Sequence, residues 1–447
     1  MDMNTPGIQA GRLDDADYAR NFGDAHTPLG RVQALIEAER CYYCFDAPCI
    51  QACPTGIDIP SFIQRIAQDN IRGAAQAILE ANPLGGMCAR VCPTEMLCEQ
   101  GCVRSINENK PVEIGLLQRY ATDAYFAKPV SAQNPPIFTR AAVTGKKVAV
   151  VGAGPAGLAA AHGLARRGHD VVMFDSRPKP GGLNEYGLAA YKTTDGFAQR
   201  EVAWLLSIGG ISVHNGQQLG RDIALPQLLA DFDAIFLGLG LAGVNALGIA
   251  EPQCEGLRPA VDFIAELRQS KPSAVAVGQK VVVIGGGMTA VDAAVQSRKL
   301  GAREVTIAYR RGVEGLSASD YEQGWALKHG VTLRTWAAPK AVLSGGGKVI
   351  GMQFAVTALR DGRLIETGEQ FTLEADMVLT AIGQNFAATL PDIEMQGGRI
   401  ATDAVGHTSL ERVWAGGDCR FGGRDLTVEA VEHGKQAAIS IDAFLKG

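Results

Sequence analysis

Two short apolar runs, each followed by a glycine-rich turn, stand out in the hydrophobic pattern of this chain. They cover residues 148–151 and residues 281–284. Uninterrupted apolar runs of this length are typical of strands buried on both faces of a parallel sheet. An alanine-containing stretch suited to a helix follows each turn, and the second of these helices is predicted over residues 290–300. The pattern therefore predicts two strand-turn-helix units, each of which opens a nucleotide-binding fold.

The first nucleotide turn reads Gly152-Ala153-Gly154-Pro155-Ala156-Gly157. In such a turn the first glycine permits a tight bend, the second lets a pyrophosphate approach, and the third lets the helix pack closely. The next predicted strand, residues 171–174, ends at Asp175, which can accept a hydrogen bond from a ribose hydroxyl. A glycine-rich turn alone can arise by chance, but strand, helix and acid in this register favour dinucleotide binding. The predicted binding residues are Gly152, Gly154, Pro155, Ala156, Gly157 and Asp175.

The second nucleotide turn reads Gly285-Gly286-Gly287-Met288-Thr289-Ala290, with alanine in the third glycine position. The strand predicted after it, residues 305–308, ends at Tyr309-Arg310-Arg311, where no carboxylate can meet a ribose 2'-hydroxyl. Arginines there favour a 2'-phosphate, so NADPH is preferred to NADH within an NAD(P)H site. The alternative is an exposed arginine pair on a loop. The predicted binding residues are Gly285, Gly287, Met288, Thr289, Arg310 and Arg311.

Eight of the ten cysteines lie between Cys41 and Cys102. Their spacing is Cys41-x2-Cys44-x4-Cys49-x3-Cys53-Pro, then Cys88-x3-Cys92-Pro-x4-Cys98-x3-Cys102. Structural zinc usually uses paired C-x2-C knuckles, whereas one such pair and two Cys-Pro steps favour iron-sulfur clusters. Apolar residues at helical spacing over residues 59–67 and 71–81 predict a helical domain around them.

Composition and charge narrow the function classes further. A chain of 447 residues supports two or three domains, and its net charge of -5 is mild. No long basic run suggests nucleic acid, and no stretch of about 18 apolar residues suggests a membrane partner. The first residues lack the pattern of a signal peptide, which predicts a cytoplasmic protein without disulfides.

Several motifs in the first hundred residues resemble the N-terminal half of dihydropyrimidine dehydrogenase, and the resemblance extends over nearly the whole chain. The motifs are Arg20-Asn21-Phe22, Asp46-Ala47-Pro48-Cys49, Cys53-Pro54-Thr55, Asn82-Pro83-Leu84-Gly85 and Val91-Cys92-Pro93-Thr94. Within that family the chain resembles the PreT-type subunit, which oxidises the pyridine nucleotide. It is less similar to the small subunit of glutamate synthase, whose usual Gly-Val-Pro-Phe-Cys run is absent.

The resemblance implies two 4Fe-4S clusters with interleaved ligands. One cluster would take Cys41, Cys44, Cys49 and Cys102. The other would take Cys53, Cys92, Cys98 and the side chain of Gln118. Cys88 would then be a bystander, although either Cys88 or Gln118 could complete the second set.

The resemblance also implies FAD-binding residues outside the first nucleotide turn. Gly182 and Leu183 lie in a loop similar to the one beside the isoalloxazine, and the chain returns to the flavin domain after Gly383. Gly417 and Asp418 resemble a second flavin fingerprint, in which Asp418 would bind the ribitol. Thr427 opens the last predicted helix, whose N-terminus would face the flavin.

The implied function is an oxidoreductase subunit that passes electrons from NAD(P)H through FAD and both clusters to a partner. That partner would carry FMN and further iron-sulfur clusters and would reduce uracil or thymine. No catalytic acid or base is expected in this chain. The alternative within the family is the glutamate synthase small subunit.

Two other classes of function are weaker. A thioredoxin-reductase-like thiol enzyme would need a cysteine pair beside the flavin, and no C-x2-C occurs after Cys44. A non-catalytic electron-transfer module would not need a second nucleotide domain.

These inferences define an α/β fold class with four segments. Residues 1–140 form a helical domain with two clusters and a linker, the linker itself covering 128–144. Residues 141–270 and 385–447 form the two parts of the FAD domain. Residues 271–384 form an NAD(P) domain inserted between them.

Overall fold

Eight helices precede the first strand in the computed structural model of the chain, which describes residues 5–128, 130–131 and 134–447. They are α1 Asp15–Asn21, α2 Arg31–Glu39, α3 Pro48–Ala52, α4 Ile59–Ala67, α5 Ile71–Ala81, α6 Gly85–Val91, α7 Val103–Glu108 and α8 Ile114–Phe126. The predicted helical domain is therefore present. Asn82-Pro83 separates α5 from α6, because the residue before a proline is biased away from helical backbone angles.

Strands and helices then alternate. The elements up to residue 237 are β1 Lys147–Val151, α9 Pro155–Arg166, β2 Asp170–Asp175, α10 Leu183–Tyr186, α11 Phe197–Leu206, β3 Ile211–Asn215, α12 Leu225–Asp231 and β4 Ala234–Leu237. The next elements are β5 Gly243–Val244, β6 Leu257–Pro259, α13 Ala260–Gln269, β7 Lys280–Ile284, α14 Met288–Lys299, β8 Glu304–Ala308, α15 Asp320–Lys328, β9 Thr332–Arg334, β10 Ala337–Gly345, β11 Lys348–Arg360, β12 Arg363–Glu374, β13 Met377–Thr380 and β14 Gln384–Asn385. The chain ends with β15 Met395–Gln396, β16 Arg399–Ile400, β17 Val413–Ala415 and α16 Thr427–Lys446.

The chain divides into a larger and a smaller compact unit. The larger unit consists of His26–Glu185, Asp195–Ala242 and Phe386–Gly447. It contains a parallel sheet in the order β17-β4-β1-β2-β3 together with the helices α2 to α8. Its core lies between that sheet and the helices α9 and α16, which pack through residues such as Ala156, Ala160 and Ala437.

The smaller unit consists of the described residues up to Ala25, Tyr186–Thr194 and Gly243–Asn385. Its parallel sheet has the order β6-β13-β7-β8-β9. Because this sheet lies in sequence between β4 and β17, the predicted insertion of one nucleotide fold into another is confirmed. An antiparallel sheet, β10-β11-β12, extends the smaller unit and was not predicted.

The helical domain was predicted to begin at residue 1, but the structure assigns the N-terminal segment to the other unit. Residues up to Ala25 group with the smaller unit and not with the helical domain. The reason is a set of hydrogen bonds to the smaller unit: Arg12 is buried, and its guanidinium donates to the carbonyls of Val277 at 3.0 Å and Thr5 at 2.9 Å. Asn21 also donates to the carbonyl of Lys299 at 2.9 Å.

The segment Tyr186–Thr194 is held in the smaller unit by a buried charge. Lys192 donates to Asp292 at 2.8 Å and to Glu322 at 2.7 Å. Burial alone would lower the pKa of Lys192, but the two carboxylates raise it above its ordinary value. The amine is therefore a charged anchor for this segment.

The expected linker contains no helix or strand in its described part, after α8 ends at Phe126. Three of its residues, Pro129, Ala132 and Gln133, lie outside the described residues. No helix in the described part of the chain has the length and apolar character needed to cross a bilayer.

Candidate cofactor sites and electron path

The first nucleotide turn has the close approaches that its glycines predict. Gly152 has a φ of +101°, and a Cβ there would collide with the carbonyl of Gly238. A Cβ on Gly157 would collide with the carbonyl of Gly152, so α9 packs directly onto the turn. Gly154 caps α9 and faces Gly182, whose Cβ would lie 2.6 Å from the Gly154 Cα. The turn thus presents bare backbone at the start of α9, as a pyrophosphate site requires.

Asp175 closes β2 and is fixed by two backbone amides. Its carboxylate accepts from Ala153 at 2.6 Å and from Arg177 at 2.8 Å. Burial raises the pKa of Asp175 above its ordinary value, while these two amides lower it. The remaining lone pairs can accept from a ribose, as predicted from the sequence.

The second predicted flavin segment forms the 3-10 turn Gly417–Cys419 directly after β17. A Cβ on Gly417 would lie 3.1 Å from the Cβ of Ala156, which brings this turn beside the first nucleotide turn. Burial raises the pKa of Asp418 to about 6. Its carboxylate makes no hydrogen bond with any residue that the structure describes, so it can accept a hydrogen bond from a polyol hydroxyl.

Thr427 is the first residue of α16, and its hydroxyl donates to Asn184 at 2.9 Å. This bond ties the start of α16 to the short helix α10, which follows Gly182 and begins at the exposed Leu183; the sequence had predicted a loop there. The predicted FAD residues of the larger unit therefore lie on three neighbouring segments. The sequence did not reveal His433, whose Nδ1 accepts from the Gly417 amide at 3.2 Å.

The second nucleotide turn is similar in form. Gly285 has a φ of +153°, and a Cβ there would collide with the carbonyl of Ala381. Gly287 caps α14, which begins at Met288, so Met288 and Thr289 lie in the first turn of the helix. The sequence had placed the helix start at Ala290. Backbone amides at the start of α14 can hold a phosphate.

Arg310 and Arg311 follow β8, and both are exposed. In the described ranges neither guanidinium has an ion-pair partner, so both can meet a ligand or solvent. Gly383 has a φ of +93° and lies beside Asn245, whose amide donates to the Gly383 carbonyl at 3.2 Å. The roles of these residues stay predictions.

Four cysteines surround one cavity of about 370 Å³ in the helical domain. They are the predicted set Cys41, Cys44, Cys49 and Cys102. Cys41 and Cys44 of this first cavity lie in the loop before α3, Cys49 lies in α3, and Cys102 directly precedes α7. Burial raises the pKa of Cys49 to about 12, so this thiol needs a metal to become a thiolate ligand.

A second cavity of about 370 Å³ is lined by Cys53, Cys88, Cys92, Cys98 and Gln118. Gln118 is buried on α8 and donates through Nε2 to the carbonyl of Gly85 at 2.7 Å. The remaining Oε1 is an oxygen donor atom at the cavity. The structure thus brings together the whole second ligand set that the resemblance implied.

Cys88 also lines the second cavity, so its position alone does not exclude it as a ligand. The neighbouring Cys88 thiol and burial raise the pKa of Cys92 above its ordinary value. The choice between Gln118 and Cys88 as the fourth ligand stays a prediction.

The arrangement of the cysteines around the two cavities suits iron-sulfur clusters better than single zinc ions. Sulfurs about 2.3 Å from a tetrahedral zinc lie about 3.8 Å apart. Across residues 5–128, 130–131 and 134–447, no three His, Cys, Asp or Glu side chains are grouped closely enough for a single metal ion. Four cysteines line the first cavity, and this donor set fits a 4Fe-4S cluster.

The two cavities and the predicted flavin site are connected by shared residues. Val428, which follows Thr427 at the start of α16, lines the second cavity. Ile59, at the start of α4, lines both cavities. Lys435 of α16 also donates to the carbonyl of Thr55 at 3.2 Å. These contacts place the second cavity between the start of α16 and the first cavity.

The remaining cysteines have no redox geometry. Cys419 is buried and donates to the carbonyls of Leu237 at 3.4 Å and Gly416 at 3.3 Å. Burial raises the pKa of its thiol to about 11. All ten cysteines, Cys254 included, are free thiols. A thiol relay beside the flavin therefore has no support in this structure.

Glu201 is a structural residue that the sequence did not reveal. It lies on α11, is completely buried, and accepts from the amides of Gly86 at 2.7 Å and Met87 at 3.2 Å. These amides begin α6, the helix that precedes Cys92. Glu201 thus fastens one wall of the second cavity to the nucleotide fold of the larger unit.

Two family models match the chain. The one described as dihydropyrimidine dehydrogenase domain II, 4Fe-4S cluster, matches residues 18–130. The one described as pyridine nucleotide-disulphide oxidoreductase matches residues 146–434. Among solved structures, Mycobacterium tuberculosis FprA in complex with NADPH has a TM-score of 0.57 and 17% identity, and the match covers 67% of this chain and 85% of that chain. That similarity shows the fold.

Two curated relatives are similar over almost their whole length. The NAD-dependent dihydropyrimidine dehydrogenase subunit PreT of Salmonella typhimurium is 34% identical over 96% of this chain and 98% of that protein. The small chain of NADPH glutamate synthase from Escherichia coli is 34% identical over 95% of this chain and 94% of that protein. The chain therefore belongs to the family of PreT subunits of dihydropyrimidine dehydrogenase, as an oxidoreductase with a 4Fe-4S domain and FAD- and NAD(P)-binding folds.

Proposed function

We propose that this chain oxidises NAD(P)H and delivers the electrons to a partner subunit that reduces uracil or thymine to the 5,6-dihydropyrimidine. The bound FAD would accept the hydride, and the two clusters would carry single electrons onward. The PreT relatives, named as dihydropyrimidine dehydrogenase subunits, support this assignment.

The observation that carries the proposal is the series of shared residues between the start of α16 and the first cavity. Val428 lines the second cavity next to Thr427, and Ile59 lines both cavities. Two clusters in series are useful only where electrons must leave the flavin. We therefore propose that they leave through the second cavity and then the first.

The protein residues act by binding and orientation. The bare turn at Gly154 and the start of α9 would hold the pyrophosphate, and Asp418 would accept from the ribitol. The amides at the start of α16 would favour negative charge on the reduced flavin. No side chain needs to move a proton for hydride transfer, and the buried Cys419 is chemically inert in this role.

We also propose that the partner carries FMN and iron-sulfur clusters and docks near the first cavity. Tyr42 lines this cavity and is half exposed, and Phe45, in the same loop, is fully exposed. An exposed aromatic pair at an electron exit suits a protein interface. The proposed compartment is the cytoplasm, where the cluster cysteines stay reduced.

The test is expression of the chain alone and with the candidate partner under anaerobic conditions. The complex should oxidise NAD(P)H in a uracil-dependent reaction, and the chain alone should reduce only artificial acceptors. Uracil turnover by the chain alone would contradict the proposed division of labour. Glutamine-dependent glutamate formation by a complex with a glutamate synthase large subunit would favour the alternative function, to which the Escherichia coli relative points.

The ligand sets are tested separately by metal analysis. Two 4Fe-4S clusters predict about eight iron and eight sulfide per FAD. Cys102→Ser should remove about half of the iron, because it deletes a ligand of the first cluster. Cys88→Ser is the matched control and should keep both clusters. Loss of iron in the Cys88 variant, or zinc in place of iron, would contradict the assignment.

A further inference from the structure

Asn82 lies at the end of α5 in the wall of the second cavity and is completely buried. Its amide donates to the carbonyl of Ile78 at 2.8 Å, and its carbonyl accepts from Gly85 at 2.9 Å. Its side-chain Oδ1 accepts from the Leu84 amide at 3.0 Å. Because an N–H must face Oδ1, this contact fixes which end of the side-chain amide is the nitrogen.

The Nδ2 group of Asn82 is buried and has no hydrogen-bonding partner in the described part of the chain. Native proteins rarely leave a buried amide donor in that state. The same cavity is lined by Cys53, Cys92 and Cys98, three of the proposed cluster ligands. Sulfur atoms of a cluster held by these residues would be acceptors within the cavity that Asn82 lines.

We propose that Asn82 Nδ2 donates a hydrogen bond to a sulfur atom of the second cluster and thereby raises the reduction potential of that cluster. Reduction adds one electron and so increases the negative charge on the sulfurs. A fixed donor stabilises the reduced form more than the oxidised form, which makes reduction easier. Asn82 acts in this way as a tuning residue and is not a ligand.

The first cavity has no buried side-chain amide without a partner in its described lining, which contains no asparagine or glutamine. Its polar side chains Tyr42 and Arg104 donate to Glu108. The rest of its lining is mainly apolar, as at Ile59, Ile63 and Val112. The two clusters should therefore respond differently to the loss of Asn82. The inference rests on the proposed second cluster, but not on the identity of the partner or of its substrate.

The experiment is an anaerobic redox titration of the holoenzyme, followed by electron paramagnetic resonance, with Asn82→Leu and Asn82→Asp. Asn82→Leu removes the donor without adding charge, whereas Asn82→Asp keeps the acceptor for Leu84. In both variants the ratio of reduced to oxidised second cluster at a fixed potential should fall about tenfold, which is about 59 mV for a one-electron couple. The first cluster is the internal reference and should not shift.

A second readout detects the bond itself. In the reduced native protein, the second cluster should show a hyperfine coupling to a proton that exchanges in D2O. Both Asn82 variants should lose that coupling. This measurement decides the question even if Asn82→Leu does not retain its second cluster, because Asn82→Asp then carries the test.

Asn70→Leu is the matched control. Asn70 is exposed at the other end of α5, and its Oδ1 accepts from the Gly73 amide at 3.0 Å. Its loss weakens the same helix but removes nothing from the second cavity, so both cluster potentials should stay unchanged.

Three results would overturn the proposal. An unchanged potential in Asn82→Leu with a lower melting temperature would mean that Asn82 only supports the turn. A shift in Asn82→Asp alone would reflect added charge. Persistence of the exchangeable proton coupling in both variants would assign the coupling to another donor. None of these results depends on uracil turnover, so failure here is distinct from failure of the proposed function.

Discussion

The two nucleotide folds have equivalent strand orders but differ in how tightly their first helix meets the turn. The sheets run β17-β4-β1-β2-β3 and β6-β13-β7-β8-β9, and in each the central strand leads into the glycine-rich turn. In the larger unit a Cβ on Gly157 would collide with the carbonyl of Gly152. In the smaller unit the equivalent position is Ala290, which is completely buried. The same topology therefore accepts a methyl group in one fold and excludes it in the other.

The two folds differ again after their second strand. β2 ends at Asp175, whose carboxylate is fixed by two amides, whereas β8 is followed by Tyr309 and the exposed Arg310. A fixed acid suits a ribose hydroxyl, and a free arginine suits a phosphate. The comparison teaches that one strand order can carry two differently built nucleotide turns, and it predicts that a few side chains and missing methyl groups select which dinucleotide is bound.

The largest expected effect comes from exchanging the residues in the third glycine position of the two turns, Gly157 and Ala290. Gly157→Ala should destabilise the larger unit by at least about 3 kcal/mol and abolish FAD retention, because the added methyl meets backbone. Ala290→Gly should cost about 1 kcal/mol, the usual penalty for glycine in a helix, and should leave the smaller unit folded. Flavin absorbance per chain and thermal unfolding measure both. A Gly157→Ala protein with full FAD content would show that the two turns are equivalent.

The next largest effect concerns the buried charge of the smaller unit. Lys192→Met should cost about 3–5 kcal/mol, because it leaves Asp292 and Glu322 buried without their cation. Lys340→Met is the control, since Lys340 forms an exposed pair with Glu366 at 3.2 Å and should cost less than about 1 kcal/mol. Urea unfolding of the two variants gives the difference. Equal costs would mean that the Lys192 contacts are not a structural anchor.

Local sequence signals explain which parts of the fold were predictable. Both nucleotide turns and the helical cysteine domain follow from short-range patterns such as the apolar run before Gly152, whereas the insertion of one fold into the other came from the resemblance. The sheet β10-β11-β12 was missed because β10 and β12 are largely exposed or half exposed, and buried residues in β11 alternate with more exposed ones instead of forming the continuous apolar run used to find the other strands. The start of α14 was misplaced by two residues, since a glycine cap was read as part of a longer turn.

The cofactor sites, like the fold, were predictable from the sequence only in part. The cysteine spacing indicated iron-sulfur clusters, but the sharing of ligands between the two cavities came from resemblance, because it depends on packing among distant helices. The roles of Glu201, Asn82 and Arg12 depend on contacts across tens to hundreds of residues, such as the bond from Arg12 to Val277. No local pattern encodes such contacts, so the sequence alone could not supply them.

The larger unit contains a buried histidine that should make its free energy of unfolding fall in acid. The buried Lys192 of the smaller unit should have no such effect. His162 lies on α9 against Phe138 and Trp204, and burial lowers its pKa to about 3. The unfolded chain takes up this proton near pH 6.5, so stability is retained above that pH and lost progressively as the pH falls towards 3. At pH 5 the loss relative to pH 7 should be about 2 kcal/mol.

The check is thermal unfolding of the native protein and of His162→Leu at both pH values. The variant should lose most of this pH dependence, because leucine does not titrate. His214→Gln is the control, since His214 is exposed on β3 and its replacement should leave the pH dependence intact. The same pH dependence in all three proteins would remove His162 as its source.

The smallest expected effect tests whether Arg310 and Arg311, which follow β8 just as Asp175 ends β2, recognise the 2'-phosphate of NADPH. Changing Arg310 and Arg311 together to glutamine should raise the KM for NADPH about tenfold more than the KM for NADH, because only NADPH carries the 2'-phosphate. The effect is modest because both guanidiniums are exposed and screened, and it should shrink further at high salt. The matched control changes Arg360 and Arg363, an exposed pair at the turn between β11 and β12, and should alter neither KM. Relatives named NAD-dependent and NADPH are equally similar to this chain, so overall similarity does not indicate which nucleotide it uses. Equal changes in both KM values would identify the arginines as a solvated surface, and the two folds would then differ only in their third-position residue.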